Sequence, residues 1–202
     1  MKSIIAFILS TYFFVVAFAP LTDRSMIASG EYHIYLPIVS KSLASSVNVV
    51  VNGDFEAGRT GWIEYEDSPY FSFPLIVHEK DLPSLIEPFN GSWVAWLGGD
   101  SELVTYIEQQ VTIPELSPEL VYWHWIDSRF DCDDSFGGVV INETYVDYYL
   151  LCSDTDTGGW VKRTVDLNAF AGQTVVLRVF SRTEVDNYSS LYIDAVTIYA
   201  SP

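Results

Sequence analysis

The last strand-like stretch, Ser190-Leu191-Tyr192-Ile193-Asp194-Ala195-Val196-Thr197-Ile198, changes the parity of its apolar positions partway along. Side chains alternate between the two faces of a strand. Leu191 and Ile193 therefore share one face, yet Val196 and Ile198 fall on the opposite parity. Both halves can face one core only if a residue is absorbed at Asp194-Ala195, which is what a β-bulge does. The bulge sets a carboxylate at a bend in an otherwise apolar strand. A buried carboxylate needs a partner, and a cation is one that serves. Near the other end, Val49-Val50-Val51-Asn52-Gly53-Asp54-Phe55-Glu56 is a second short apolar run leading into carboxylates. The two stretches are expected to be neighbouring strands of one β-sandwich.

The rest of the chain after Ser46 reads as strands too. Short β-branched and aromatic runs occur at Val47–Val51, Ser92–Leu97, Glu102–Ile113, Leu120–Ile126, Gly137–Asn142, Tyr145–Leu151, Trp160–Leu167, Thr174–Ser181 and Leu191–Tyr199. Turn signals such as Asn52-Gly53 and Gly58–Gly61 separate them, the pattern of an antiparallel sandwich. Tyr70–Val77 contains Pro74 and is expected to be an edge strand or a broken one. Only Leu167–Gly172 suggests a helical turn.

At 202 residues, with 15% aromatic and 49% hydrophobic residues, the chain can bury a sizeable core. Ten Lys and Arg against 27 Asp and Glu leave a formal charge of −17. That balance argues against nucleic acid and anionic membrane surfaces as partners, because phosphates would be repelled. Neutral glycans and cations are compatible with it.

Lys2 followed by the uncharged run Ile4–Ala19, ending in Ala17 and Ala19, has the form of a signal peptide. Pro20 disfavours cleavage directly after Ala19, so the cut is expected later, near Ala28-Ser29-Gly30, or the leader stays as an anchor. Residues 1–19 are thus a leader or anchor, 20–46 a linker, and 47–202 the β-sandwich domain. Cys132 and Cys152 flank the hairpin formed by Gly137–Asn142 and Tyr145–Leu151. A disulfide between them suits an exported protein that is secreted or held at the cell surface.

The segments VNGDFEAGRTGW, GSWVAWLGG, IEQQVTIP, LVYWHWIDS, GGWVKRTVDLNAFAGQTVVLRVFS and SSLYIDAVTI occur in this order across residues 47–199. Together they resemble the galactose-binding-like jelly roll of carbohydrate-binding modules and MAM-like modules of secreted bacterial proteins. The resemblance implies a structural Ca²⁺ held by Glu56 and Asp194. Backbone oxygens complete such a shell, and Asp54 and Asn90 are the candidates. Two carboxylates plus carbonyls meet the oxygen preference of a hard cation; capping of both carboxylates by backbone N–H groups is the alternative. The acidic residues around the cysteines (Asp127, Asp131, Asp133, Asp134, Asp154, Asp156) could make another cation site, but without EF-hand spacing they read as a solvated loop.

Aromatic rings match the apolar face of a pyranose. On one strand, Trp123 and Trp125 share a face and Tyr122 and His124 take the other. Arg178 and Phe180 are expected to point away from the core. A ligand-binding face built from Trp123, His124, Tyr149 and Arg178 is the expectation, weighed against burial of the same rings in a core. No G-x-S-x-G, H-E-x-x-H or P-loop lysine motif occurs. The expected function is non-catalytic binding of an extracellular glycan. The alternative is an adhesion or assembly module that binds a cell-surface protein.

Overall fold

In a computed structural model the described residues are 48–68 and 73–200. The chain divides into two units, 1–41 and 42–202. The leader, 1–19, and the whole of the linker, 20–46, lie outside the described residues.

Among the described residues ten strands are formed: β1 (Ile63–Glu66), β2 (Ile76–His78), β3 (Trp93–Gly98), β4 (Val104–Thr112), β5 (Pro118–Asp127), β6 (Phe136–Ile141), β7 (Thr144–Leu150), β8 (Val161–Asp166), β9 (Thr174–Arg182) and β10 (Ser190–Ala200). They make two five-stranded sheets. Sheet A has the order β1-β4-β9-β6-β7, and sheet B the order β2-β3-β10-β5-β8. All pairings are antiparallel. The expected all-β antiparallel sandwich is the fold, and a 3-10 turn at Asn168–Phe170 occupies the expected helical position.

The core follows from strand parity. Ile107 and Val111 of β4, Val175, Leu177 and Val179 of β9, and Val139 and Ile141 of β6 face inward from sheet A. Leu120, Tyr122 and Ile126 of β5 meet them with Leu191, Ile193, Val196 and Ile198 of β10. All four of these β10 residues are fully buried despite their mixed parity. The register between β10 and β5 slips between Asp194 and Thr197, and Ala195 adopts a left-handed φ of 50°. The bulge lies where the parity change demands it.

One expectation fails. Val49–Glu56 does not form a strand; it is a series of turns. Asn52, Phe55, Gly58 and Gly61 all take positive φ, which breaks any extended run. The Asn52 amide donates to the carbonyls of Gly58 and Thr60, and its oxygen accepts from Ala57 N–H, tying the turns together. The segment still lies against β10, through Val49 N–H to Ile198 O and Val196 N–H to Gly53 O. A Cβ on Gly53 would come 1.9 Å from the Val196 carbonyl oxygen, so only glycine fits beside the bulge.

Cys132 and Cys152 form the expected disulfide. It closes a loop of sequence separation 20, worth about 3 kcal/mol on a chain-entropy account.

Gly53→Ala tests the coupling of the turn to the bulge. The variant should lose about 2–3 kcal/mol in denaturant unfolding, whereas Gly158→Ala, whose Cβ meets nothing closer than 3.9 Å, should lose less. Equal losses would show that close approach to β10 is unimportant.

Candidate functional site

Three regions gather the residues singled out in the sequence. The first surrounds the bulge. Asp194 is fully buried. Its Oδ2 accepts from Asn90 N–H at 3.1 Å and its Oδ1 from Ala195 N–H at 2.5 Å. Burial pushes its carboxyl up to about 7, and the nearby negative charge of Glu56 adds to the rise; the N–H donors work against it. Glu56 approaches the same turn from the other side, its Oε1 accepting from Ser92 N–H at 2.7 Å and Trp93 N–H at 2.9 Å. Gly91, at φ 70°, leaves space that the Glu56 carboxylate fills, since a Cβ there would lie 2.2 Å from Glu56 Cδ. The turn Asn90–Trp93 is thus gripped by two carboxylates. Asp54 is exposed, two residues before Glu56.

This geometry fits a cation in part. Asp194 has no cationic side chain in any ion pair among the described residues, and a second carboxylate stands close enough to repel it. Among the described residues no three Asp, Glu, His or Cys side chains cluster for metal ligation. A cation here would take two carboxylates and fill its remaining positions with carbonyls or water. The N–H caps on both carboxylates also satisfy the turn by themselves.

The second region is the interior. His124 faces inward from β5, 4% exposed, and stacks on Tyr149 of β7 with centroids 5.0 Å apart. Tyr149 points inward because the β6–β7 register shifts between Val139 and Val140. Beside them Tyr122 Oη donates to Asp147 Oδ2 at 2.9 Å, and Arg163 forms a two-point ion pair with the same carboxylate. Burial opposes ionisation of Asp147, yet the Arg163 and Tyr122 hydrogen bonds hold its carboxyl below the usual range. Burial, reinforced by the Arg163 charge, depresses His124 to about 4. His124 Nδ1 and Tyr149 Oη make no hydrogen bond of normal geometry among the described residues.

The third region is the outer face of sheet A, where Arg178 lies. Its guanidinium sits over the Tyr106 ring at 4.0 Å and pairs with Glu108 Oε2 through Nε at 2.8 Å and Nη2 at 2.7 Å. Tyr65 stacks on Tyr106 at 4.6 Å. Across β9, Phe180 meets Phe136 at 5.3 Å and Tyr145 at 5.5 Å, while Tyr148 meets Phe136 at 5.2 Å. Two adjoining hollows, of about 410 and 320 Å³, share Val140, Glu143 and Arg178.

The expected four-residue binding face is therefore not assembled. Trp123 is on the outer face of sheet B and is covered by Phe89, stacked at 4.0 Å. The long loop before β3 folds across that sheet, held also by Trp160 Nε1–H donating to Glu87 O at 2.9 Å. His124 and Tyr149 lie between the sheets. Arg178 alone stands on an open aromatic face. Sequence reading missed Tyr106, Phe136 and Tyr148 as its companions. The signal was the shared outward parity of Tyr106 and Glu108 on β4 with Arg178 and Phe180 on β9, which becomes informative only once those strands are known to pair.

No family model matches the chain, and no curated protein matches its sequence. Solved structures do. A family 61 carbohydrate-binding module in complex with β-1,4-galactotriose is similar over 77% of this chain and 100% of its own, with 13% identity and a TM-score of 0.56. A Stig cyclase from Fischerella sp. TAU aligns over 78% and 99%, at 14% identity and a TM-score of 0.53. The K2 cleaved adhesin domain of Lys-gingipain gives the same figures. At these identities the likeness bears on the fold alone, and it agrees with the antiparallel β-sandwich of two five-stranded sheets.

The buried imidazole predicts acid sensitivity. His124 is protonated at 6.5 when unfolded and only near 4 when folded. Its contribution is intact above 6.5 and is lost as pH falls through 4, by about 3 kcal/mol. The stability difference between wild type and His124→Gln should shrink by that amount between these limits in pH-dependent urea melts. Parallel curves would place His124 in a wetter setting.

Proposed function

We propose that the domain is a non-catalytic carbohydrate-binding module whose glycan lies across the outer face of sheet A. The observation that carries this reading is the set of rings around the Glu108–Arg178 pair, of which Tyr65, Tyr145 and Tyr148 are exposed, Tyr106 and Phe136 half-buried and Phe180 buried beneath them. Tyr65 and Tyr106 flank one side, and Phe136, Phe180, Tyr145 and Tyr148 the other. The apolar C–H face of a pyranose packs on such rings, while hydroxyls both donate and accept. Glu108 supplies acceptor oxygens and Arg178 supplies N–H donors, already oriented by their mutual ion pair. Paired charges leave this centre close to neutral, which suits an uncharged glycan. The fold shared with a module solved with β-1,4-galactotriose supports the same class of ligand.

The second reading is an adhesion or assembly module that binds protein, favoured by the fold shared with an adhesin domain. Export is supported by the signal-like leader and by the disulfide.

Calcium belongs to the same proposal as a structural ion. Glu56 and Asp194 supply the carboxylates, with backbone oxygens near Asp54 and Asn90 completing the shell. The ion would neutralise the buried Asp194 charge and fasten the Asn90–Trp93 turn to the bulge, away from the glycan face.

Two measurements test these readings. In a glycan and polysaccharide panel with calcium present, residues 46–202 should bind saturably; Tyr106→Ala, Tyr145→Ala and Arg178→Ala should each weaken binding by about tenfold or more. Binding that ignores all three changes would move the site elsewhere, and a blank panel from folded protein would favour the adhesion reading. Separately, chelation should lower the melting temperature by several degrees. Asp194→Asn and Glu56→Gln should abolish that shift; a melt indifferent to calcium would remove the ion.

A further inference from the structure

A slot of about 700 Å³ opens beside edge strand β2, and none of its lining residues belongs to the hollows of sheet A. It exists because β2 is only three residues long. Its residues pair with Trp93–Ala95, and beyond Ala95 the cover is reduced to Leu75, whose carbonyl accepts from Trp96 N–H at 2.7 Å. The slot wraps the uncovered edge, so Trp93 and Trp96 both line it although they alternate along β3. Phe73 completes the aromatic wall.

The rings are held in place. Trp96 Nε1–H donates to Ser190 Oγ at 3.0 Å, and His78 lies edge-on to Trp93 at 5.3 Å with its Nδ1 accepting from Lys80 N–H. Gly99, at φ 83°, keeps the floor bare, since a Cβ there would come 3.0 Å from Trp96 Nε1.

The charges in the slot are unbalanced. Arg59 is committed to Glu64 at 2.5 Å. Asp81 and Asp100 are in no ion pair among the described residues. Among the described residues the Asp100 carboxylate accepts only from Ser101 N–H, through Oδ1, and the Asp81 carboxylate has no hydrogen-bond partner. Indole faces attract cations, free carboxylates do the same, and a chain of charge −17 draws cations to the opening.

We propose that this slot binds a small organic ammonium ion, its charge set against Asp81 and Asp100 and its body against Trp93 and Trp96. The proposal is independent of the glycan reading, since it uses other residues and ligand charge of one sign.

The test is a titration of the full chain with glucosamine and with choline, followed by the indole NMR signals and calorimetry, with glucose as the uncharged counterpart. Both cations should shift the Trp93 and Trp96 indole signals with dissociation constants of about millimolar order, and glucose should not. Asp81→Asn and Asp100→Asn should each weaken binding by about three- to fivefold, and raised ionic strength should weaken it further. Leu116→Ala, at an exposed position that lines neither the slot nor the hollows of sheet A, should leave it unchanged. Asp81 is exposed, so its variant keeps the test valid where a tryptophan variant folds poorly. Equal binding of glucose and glucosamine, indole signals that do not move, or affinity indifferent to both aspartate changes would each overturn the proposal.

Discussion

A carboxylate buried in the middle of a β-sheet is an expensive thing to keep, and the architecture around Asp194 is arranged to keep it. β10 is the central strand of sheet B, with β3 on one side and β5 on the other. Its bulge turns Asp194 towards the Asn90–Trp93 turn and aims Val196 N–H at the Gly53 carbonyl. Two loops far apart in sequence are thereby fastened to one point. Glu56 closes the arrangement by accepting two N–H groups from the turn that Asp194 holds from the other side. A regular strand here would have sent either Leu191 and Ile193 or Val196 and Ile198 to solvent.

The clasp has a consequence for function. The loop carrying Asn90 runs back over the outer face of sheet B, where Phe89 covers Trp123 and Trp160 holds the Glu87 carbonyl. Sheet B is therefore closed across much of its outer surface. Among the described residues no such strap crosses the outer face of sheet A, and Tyr65, Tyr145 and Tyr148 are each more than two-fifths exposed there. An open aromatic face is the ordinary surface for recognition, and an Arg–Glu pair at its centre orients polar groups without leaving a net charge.

Between the sheets, His124, Tyr149, Tyr122, Asp147 and Arg163 form a polar layer inside an otherwise apolar core. Arg163 and Tyr122 keep Asp147 ionised, and burial together with the Arg163 charge keeps His124 neutral. Such a layer tolerates little rearrangement, because each member left without its partner would bear the cost of lost solvation. Aromatic and titratable residues that look like ligand-reading groups in a list of residue types here serve as packing.

Much of the fold was legible from residue order. The alternation of β9, the parity change of β10 and the turn chemistry between runs define strands, their inward faces and the bulge, since strand periodicity is local and steric. The cysteine pairing followed from a hairpin between two residues of a two-cysteine chain. The turns at Asn52–Gly61 were not legible as such: their apolar start imitates a strand, and only the left-handed residues and the Asn52 hydrogen bonds reveal the winding. Which face a residue occupies is a local property, but which faces become neighbours depends on sheet order. Arg178 could be read as outward-facing from β9 alone. Only the pairing of β4, β9, β6 and β7 surrounded it with rings, the β6–β7 bulge turned Tyr149 inward, and the return of the Phe89 loop hid Trp123.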